Sequence, residues 1–378
     1  NTEHKKIRRK QMLDGERPSE CDYCWRVEDA DAAALSDRHI KSAFSWSADQ
    51  FDSIANSDSA VNYQPSYVEV SFSHACNFKC MYCSPSISTS WMKDVKQHGA
   101  FPTTDRYNNL PQREHNPYVA AFWRWWPDLY RGLHTFRITG GEPLMSKDTF
   151  RLMQSILDEP NPNKNLLLGI NSNFVVEPKL FDRFLSLAQQ LLDSGKIRKL
   201  EIYTSAEAHG DQAEYIRNGL DYSVFIDNVK RVCKQFANRD DFTLTFMCTY
   251  NVLSVATFPA FIDDLVAVRS QYGLHCMYID IPYVRYPEMM DIKVLPESLL
   301  HLLYRSISSL QSHVRDGLMH NSEVAKLERI VEYYKSTIKD DQTVHRNNLK
   351  AYCVELDRRR GTDFGTVYPQ LKEWYDTL

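Results

Sequence analysis

The chain has 378 residues, with 45 Lys or Arg and 49 Asp or Glu, so its formal net charge is −4. This balance excludes a strongly basic nucleic-acid binder, although it allows a local basic patch. No uninterrupted apolar run approaches the ~18–20 residues of a membrane-spanning helix. The polar N-terminus lacks the apolar segment of a secretion signal. A chain longer than ~250–300 residues predicts one large domain with smaller parts attached.

The nine cysteines are unevenly distributed along the chain. Cys21 and Cys24 form one pair, whereas Cys76, Cys80 and Cys83 lie within eight residues. A secreted disulfide scaffold would be shorter and denser in cysteine. These groups therefore predict metal or iron–sulfur ligands in a reducing compartment, and we expect a cytoplasmic protein without a membrane partner.

From residue 67 onward, short β-rich runs alternate with stretches of helical periodicity. The six runs are 67–72, 135–139, 166–171, 199–204, 242–248 and 275–281. Alternating strands and helices predict right-handed βαβ units and a parallel sheet. Six units are fewer than the eight of a closed barrel. We therefore predict an α/β fold built on a partial (β/α)6 barrel, with its chemistry at the C-terminal ends of the strands.

Three parts are predicted: an N-terminal extension over 1–60, the partial-barrel core over 61–290 and a helical C-terminal region over 291–378. We expect the C-terminal helices to pack on the side of the barrel or to close its open edge. Residues 84–116 form a long connection with turn residues such as Gly99, Pro102 and Pro111. Such long loops are uncommon without a function, so we interpret this connection as an active-site flap or substrate-contact segment.

The residues from Cys76 to Cys83 read C-x3-C-x2-C and follow the first predicted strand directly. Three thiolates on one loop can ligate three irons of a [4Fe–4S] cluster, which leaves the fourth iron open for another ligand. A structural zinc site normally has four protein ligands. His74 is available as the fourth, so a zinc site is the alternative.

The motif and its position resemble the radical S-adenosylmethionine (SAM) superfamily. In that family the amino and carboxylate groups of SAM chelate the open iron. An electron from the cluster cleaves SAM, and the 5′-deoxyadenosyl radical abstracts a substrate hydrogen. The resemblance implies SAM as a cofactor and a flavodoxin- or ferredoxin-type electron donor. It also implies that Tyr82 packs against the adenine; the alternative is an ordinary core aromatic.

The segment from Thr139 to Pro143, at the end of the second predicted strand, resembles the GGE motif of the same family. Glycine lets the backbone approach a ligand closely, and a carboxylate accepts hydrogen bonds. The resemblance implies that Gly140, Gly141 and Glu142 receive the SAM ammonium. A tight turn without a ligand is the alternative.

Three later positions match the family more weakly. Asn171 ends the third predicted strand, where the family often has polar residues that face the cavity. Ser205 follows the fourth strand, where a hydroxyl typically meets the SAM ribose. Arg217 lies where an arginine often pairs with the SAM carboxylate, a role that suits its bidentate fork. Ordinary polarity at strand ends is the alternative for Ser205 and Arg217.

The segment around Cys21 and Cys24 resembles one that precedes the core in SPASM/twitch-type members, which carry an auxiliary iron–sulfur cluster. This pair supplies two ligands, whereas a cluster normally needs four. The others could come from cysteines upstream of Asn1, since the chain does not begin with Met, or from Cys353 or a non-cysteine ligand. A vestigial or half-zinc site is the alternative.

The sequence thus predicts a radical SAM enzyme of the SPASM/twitch branch that acts on a peptide or a small molecule. A non-catalytic iron–sulfur or zinc protein is the rival from another class, which the motifs on three further strands disfavour. A radical SAM enzyme acting on RNA is disfavoured by the net charge of −4, so we do not expect a nucleic-acid partner.

Overall fold

The structure is a computed structural model that describes residues 2–30, 36–58, 61–104, 116 and 118–378. The strands are β1 Tyr67–Ser71, β2 Lys79–Cys80, β3 Thr135–Thr139, β4 Leu167–Asn171, β5 Lys199–Thr204, β6 Arg217–Asn218, β7 Phe242–Met247 and β8 Met277–Asp280. The α-helices are α1 Glu3–Leu13, α2 Asp22–Ala30, α3 Asp37–Ser42, α4 Ser45–Ala48, α5 Phe51–Ala55, α6 Thr89–His98, α7 Val119–Gly132, α8 Lys147–Asp158, α9 Pro178–Asp193, α10 Gly210–Ile216, α11 Tyr222–Phe236, α12 Phe258–Tyr272, α13 Leu300–Arg315, α14 Asn321–Thr337, α15 Thr343–Arg360, α16 Phe364–Val367 and α17 Lys372–Asp376. Short 3-10 turns cover Ser19–Cys21, Pro143–Met145, Ser254–Ala256, Leu274–Cys276, Glu288–Met290, Ile292–Val294 and Glu297–Leu299.

Six strands form one parallel sheet in the order β1-β3-β4-β5-β7-β8, so their order across the sheet follows the chain. Pairs such as Ile138↔Ile170 and Ile202↔Leu244 set the register between neighbours. Helices α7 to α12 lie in the connections between these strands. The predicted α/β class and open (β/α)6 arrangement are confirmed, and the six predicted runs match the observed strands to within two residues at each end.

Apolar periodicity explains why these segments pack as they do. Helix α9 has a continuous buried face formed by Phe181, Phe184, Leu185, Ala188, Leu191 and Leu192. These residues recur at helical spacing, and each fully buried side chain of this size contributes about 1.5–3 kcal/mol relative to exposure. Strand β4 is buried at Leu168, Gly169 and Ile170, as expected for a strand covered on both faces. The sheet therefore gives a rigid frame whose carboxyl edge holds the loops.

A second, two-stranded sheet was not predicted. In it β2 pairs with β6 antiparallel, with Lys79 opposite Asn218 and Cys80 opposite Arg217. The Met81 amide extends the pairing by donating to the Ile216 carbonyl at 2.8 Å. A strand of two residues has no readable alternation, so periodicity could not reveal it. The ladder joins the cysteine loop to a segment more than 130 residues later.

The segment 84–116 is not one long irregular loop in the part that the structure describes, and its interpretation as an active-site flap or substrate-contact segment stays a prediction. Helix α6 lies within it, and its Trp91 is fully buried. Phe101 packs against Tyr352 of α15 with ring centroids 4.6 Å apart. The segment up to Thr104 therefore forms a wedge between the cysteine loop and the C-terminal region. Residues 105–115, with Pro111, lie outside the described residues.

The C-terminal helices close the sheet edge as expected. In α14, Glu323 accepts a hydrogen bond from the Ile279 amide of edge strand β8, and Lys326 donates to the Ile279 carbonyl. One buried apolar cluster runs from Phe72 to Tyr375, whereas the buried Trp25 is not part of it. The three predicted domain boundaries stay predictions. Among the described residues, none of the helices combines the length and apolar composition of a membrane-spanning helix.

A buried ion pair ties α14 to α12 behind the sheet edge. Arg269 Nη2 lies 2.6 Å from Glu323 Oε1, and the two side chains are 0% and 3% exposed. Removing one partner leaves the other charge buried, so Glu323→Gln is expected to lower the free energy of unfolding by about 3–5 kcal/mol in urea denaturation. The matched control Glu332→Gln, in an exposed pair with Lys335, is expected to cost only about 0–1 kcal/mol. Equal losses would contradict the prediction.

Candidate active site

One cavity of about 200 Å³ lies among the loops that follow the first four strands of the parallel sheet. It brings together ten residues that the sequence predicted: Cys76, Cys80, Tyr82, Cys83, Gly140, Gly141, Glu142, Asn171, Ser205 and Arg217. Because the carboxyl ends of parallel strands share one edge, residues separated by up to 141 positions converge there. Their ligand roles stay predictions.

The three thiols of the cysteine loop are partly buried in this cavity. Burial raises the pKa of Cys76 to about 12, with repulsion from Cys80 adding to it, and burial likewise raises the pKa of Cys83 and Cys80. Among the described residues, no three His, Cys, Asp or Glu side chains are grouped tightly enough to hold a single metal ion. A cluster differs from one ion because its thiolates ligate separate irons.

The Gly140–Gly141 turn packs directly on the backbone of the cysteine loop. A Cβ on Gly141 would lie 2.4 Å from the Ala75 carbonyl oxygen, and one on Gly140 would lie 2.9 Å from that of Ser73. The Gly141 amide donates to the Ser73 carbonyl at 3.1 Å, and the Glu142 amide donates to the Ala75 carbonyl at 2.7 Å. Glycine is required here for close contact between two loops. We expected glycine at these positions because it lets the backbone approach a ligand closely. That reason does not account for the contacts with the other loop.

Glu142 holds the ends of two strands together. One carboxylate oxygen accepts from the Leu144 amide at 2.9 Å, and the other accepts from the Asn173 amide at 2.6 Å. The side chain is buried, and this burial raises its pKa to about 7. The carboxylate already accepts from two backbone amides, so it links the two loops to which these amides belong. It also places an acidic group in the cavity. Asn173 lies two residues after β4, and the sequence did not indicate its role in holding Glu142.

Arg217 is bound to a carboxylate of the protein itself. Its guanidinium pairs with Glu207 at 2.6 Å, and both side chains are at most 7% exposed. The Tyr82 hydroxyl lies 3.2 Å from both carboxylate oxygens of Glu207, and Arg217 Nη1 lies 4.0 Å from Cys80 Sγ. Sequence reasoning assigned no function to Glu207. Its position three residues after the fourth strand, close to Ser205, was the available signal.

Asn171 and Ser205 line the cavity at the ends of β4 and β5. The side-chain Oδ1 of Asn171 accepts from Arg137 Nε at 3.0 Å, and the Arg137 guanidinium lies 3.9 Å from the centre of the Tyr203 ring. Asn171 is therefore anchored on one side. Both residues sit where polar cavity contacts were predicted.

Cys21 and Cys24 lie apart from the residues that line this cavity. Cys21 ends a 3-10 turn and Cys24 lies one turn on in α2; both are partly buried. Next to them, Trp25 donates its indole N–H to the Pro18 carbonyl at 3.0 Å and stacks under Arg38 at 4.3 Å. Cys353, the suggested third ligand, belongs to the buried core cluster, and neither Cys21 nor Cys24 does. This separation disfavours Cys353 as a ligand of the pair.

The cavity fits an iron–sulfur cluster with an open iron. Its donor set is three thiols on one loop, and their raised pKa values mean that they are protonated until a metal replaces the proton. The buried side chains of Glu142 and Arg217 also line the cavity, and the buried Glu207 pairs with Arg217. These groups suit a ligand that resembles an amino acid, with both an ammonium and a carboxylate.

No family model matches the chain. It is 30% identical to the GTP 3′,8-cyclase of Nautilia profundicola over 132 residues, which is 34% of this chain and 36% of that protein. It is 26% identical to the GTP 3′,8-cyclase of Campylobacter jejuni subsp. doylei over 186 residues, 47% of this chain and 46% of that protein. Molybdenum cofactor biosynthesis protein 1 of Dictyostelium discoideum is 27% identical over 133 residues, 35% of this chain and 18% of that protein.

In each case the match spans less than half of the relative's length. Among solved structures, native anSMEcpe with bound AdoMet is 14% identical, with a TM-score of 0.41 over 67% of this chain and 62% of that one. The cysteine motif, the sheet that carries it and the similarity to these curated relatives support membership of the radical SAM superfamily, a superfamily of enzymes.

The raised pKa of Glu142 predicts a pH-dependent stability in the cluster-free protein. Its pKa is about 7 in the fold against 4.5 ordinarily, so the folded protein binds one more proton between these values. This stability is fully present below pH 4.5 and is lost as the pH rises to about 7, at up to about 1.4 kcal/mol per pH unit. Glu142→Gln should remove this slope in urea denaturation at several pH values. A parallel pH profile in both proteins would contradict it.

Proposed function

We propose that the chain is a radical SAM enzyme whose active site is the cavity at the carboxyl edge of the sheet. The observation that carries the proposal is the direct hydrogen bonding between the cysteine loop and the Gly140–Gly141–Glu142 turn. Two motifs that are 57 residues apart in sequence form one unit, and a structural metal site alone would not need the second.

In this proposal Cys76, Cys80 and Cys83 ligate a [4Fe–4S] cluster, and SAM lies against Gly140, Glu142 and the residues beyond. When bound, the cluster would supply the electron for reductive cleavage of SAM, and the resulting 5′-deoxyadenosyl radical would abstract a hydrogen atom from the substrate. Glu142 accepts from the SAM ammonium, Asn171 and Ser205 offer polar contacts to the ribose side, and Tyr82 flanks the adenine. Buried walls such as Phe78 exclude water from the reactive centre.

Arg217 has a more specific role in this proposal than the sequence suggested. Glu207 already neutralises the Arg217 guanidinium. A SAM carboxylate would therefore share this guanidinium with Glu207 and would bind it through Nη1, the nitrogen that lies near Cys80. Tyr82 is held by the same Glu207, so the orientations of the adenine and the carboxylate ends of SAM are coupled through one buried side chain.

The proposed substrate is a peptide or a small molecule, and the proposed electron donor is a flavodoxin- or ferredoxin-type protein in a reducing cytoplasm. The bacterial relatives are named for a reaction on GTP, which makes a purine nucleotide the first small molecule to test. The partial overlap with those relatives leaves the substrate as a proposal.

The proposal predicts a brown protein after anaerobic reconstitution, with about four irons at the core site by cluster stoichiometry. Reduction in the presence of SAM should release 5′-deoxyadenosine, measured by chromatography, with GTP and peptides added in separate arms to look for stimulation. Replacing Cys76, Cys80 and Cys83 together by Ala should abolish 5′-deoxyadenosine and remove these irons.

Cys233→Ala is the matched control, because Cys233 is a buried cysteine in α11 remote in sequence from the motif. It should keep the core irons and the product. An unchanged iron and sulfide content in the triple variant would refute the cluster assignment. A loaded cluster without 5′-deoxyadenosine would instead favour the non-catalytic rival.

We further propose that the chain belongs to the SPASM/twitch branch and that Cys21 and Cys24 supply two ligands of an auxiliary cluster. Their spacing puts both thiols near one face of the same turn. The hydrogen bond to Glu28 is the main cause of the raised pKa of Arg38 beside them, and attraction to Cys24 and Cys21 adds less to it. The remaining ligands would come from residues upstream of Asn1 or from a non-cysteine side chain.

A full-length protein that includes any upstream residues is then expected to bind about eight irons, four at each cluster. The triple variant of the core cysteines should keep about half, and adding Cys21→Ala and Cys24→Ala should remove the remainder in an iron and sulfide assay. If the core triple variant of the full-length protein is free of iron, the auxiliary cluster does not exist and the pair is structural or vestigial.

A further inference from the structure

Three consecutive carbonyl groups of the cysteine loop accept hydrogen bonds from side chains outside it. Arg360 Nη2 donates to the Lys79 carbonyl at 3.1 Å, Trp91 Nε1 donates to that of Cys80 at 2.9 Å, and the Tyr352 hydroxyl donates to that of Met81 at 3.2 Å. Two of these three donors belong to α15, more than 270 residues after the loop. The C-terminal region therefore packs against the backbone of the cysteine loop.

Arg360 spans both strands of the small ladder that contains Cys80. While Nη2 contacts Lys79, Nη1 donates to the Tyr215 carbonyl at 2.9 Å, on the segment that leads into β6. A single guanidinium thus fixes the distance between the cysteine loop and the segment that carries Arg217. A lysine has one donor centre and could not bridge both carbonyls in the same geometry.

The charge of Arg360 is not neutralised by an ion pair with any carboxylate among the described residues. The nearby Asp94 is already bound by Lys79 and Arg359, each at 2.7 Å. Burial lowers the pKa of Arg360, but an arginine stays protonated at neutral pH, so a positive charge lies beside the cysteine loop. Arg217 is also close to Cys80, but Glu207 offsets its charge.

We propose that Arg360 is a positioning residue of the cluster site, which together with Tyr352 holds the cysteine loop in shape and whose charge raises the reduction potential of the bound cluster. The inference rests on the proposed core cluster. Reduction adds one electron and makes the cluster more negative, so a nearby buried cation stabilises the reduced form. Net charge and hydrogen bonding around the sulfurs are the levers by which proteins set such potentials.

The test compares variants of the reconstituted protein in an anaerobic titration with dithionite, which donates the electron, followed by electron paramagnetic resonance. Arg360→Met removes the charge with similar bulk, and it should lower the ratio of reduced to oxidised cluster at a fixed potential by about tenfold, or about 59 mV for one electron. Arg360→Lys should shift it much less. Tyr352→Phe loses one hydrogen bond without a charge, so it should leave the potential unchanged.

Cluster loss to an iron chelator, followed by visible absorbance, is the second measurement. Tyr352→Phe and both Arg360 variants should lose the cluster about fivefold faster than the wild type. Arg358→Met is the matched control, because Arg358 is an exposed arginine on the same helix and pairs only with Glu355 among the described carboxylates. It should change neither quantity. Circular dichroism monitors folding, and if Arg360→Met fails to fold, Tyr352→Phe and Arg360→Lys decide the positioning role.

Two results would overturn the inference. Equal shifts of potential in Arg360→Met and Arg360→Lys would show that charge is not the cause, and chelator loss at the wild-type rate in Tyr352→Phe would show that α15 does not hold the loop. A wild-type protein that takes up no [4Fe–4S] cluster would instead refute the proposed function itself.

Discussion

The cysteine loop depends on hydrogen bonds from outside, because it has only two residues of regular structure. A cluster needs three sulfurs at fixed positions, and an irregular loop of eight residues cannot set them alone. The carbonyls of Ser73 and Ala75, just before the loop, and those of Lys79, Cys80 and Met81, within it, all accept from donors outside the loop. Those donors come from the turn after β3, from α6 and from α15. The folded sheet and C-terminal region are thus needed to shape the proposed metal site.

Buried charged side chains lie around this loop, and they differ in the partners that offset their charge. Glu207 and Arg217 neutralise each other. Glu142 has backbone donors and no cationic partner among the described residues, and burial raises its pKa to about 7. Arg360 donates to two backbone carbonyls and pairs with no carboxylate in the described part of the chain. Unpaired buried charges are costly, and such groups cluster where chemistry needs them. A site that must accept a zwitterionic ligand and an anionic cluster offers a reason to keep both signs available.

The sequence predicted the sheet and the cavity well because both follow from local patterns. Six β-rich runs became the six parallel strands, and residues at their carboxyl ends had to meet at one edge. Contacts that depend on tertiary packing had no local signal. Glu207 looked like an ordinary residue after a strand, the β2–β6 ladder has only two residues per strand, and Tyr352 and Arg360 lie on an unremarkable charged helix. Helix α6 was not predicted within 84–116, because the turn residues of this segment were taken to indicate a loop throughout.

In both cysteine segments, a tryptophan indole donates a hydrogen bond to a backbone carbonyl of the cysteine turn. Trp91 binds the Cys80 carbonyl, and Trp25 binds that of Pro18, three residues before Cys21. Arginines flank both rings, Arg360 at 5.9 Å from Trp91 and Arg38 at 4.3 Å from Trp25. The difference lies in charge, because Glu28 pairs with Arg38 at 2.7 Å whereas Arg360 has no such partner among the described residues. The core segment therefore presents an uncompensated cation to its thiols, and the N-terminal segment presents a neutral pair. If both segments hold clusters, the same tryptophan-to-carbonyl hydrogen bond would occur in two different electrostatic environments. The cluster at the core site would then be the more easily reduced one.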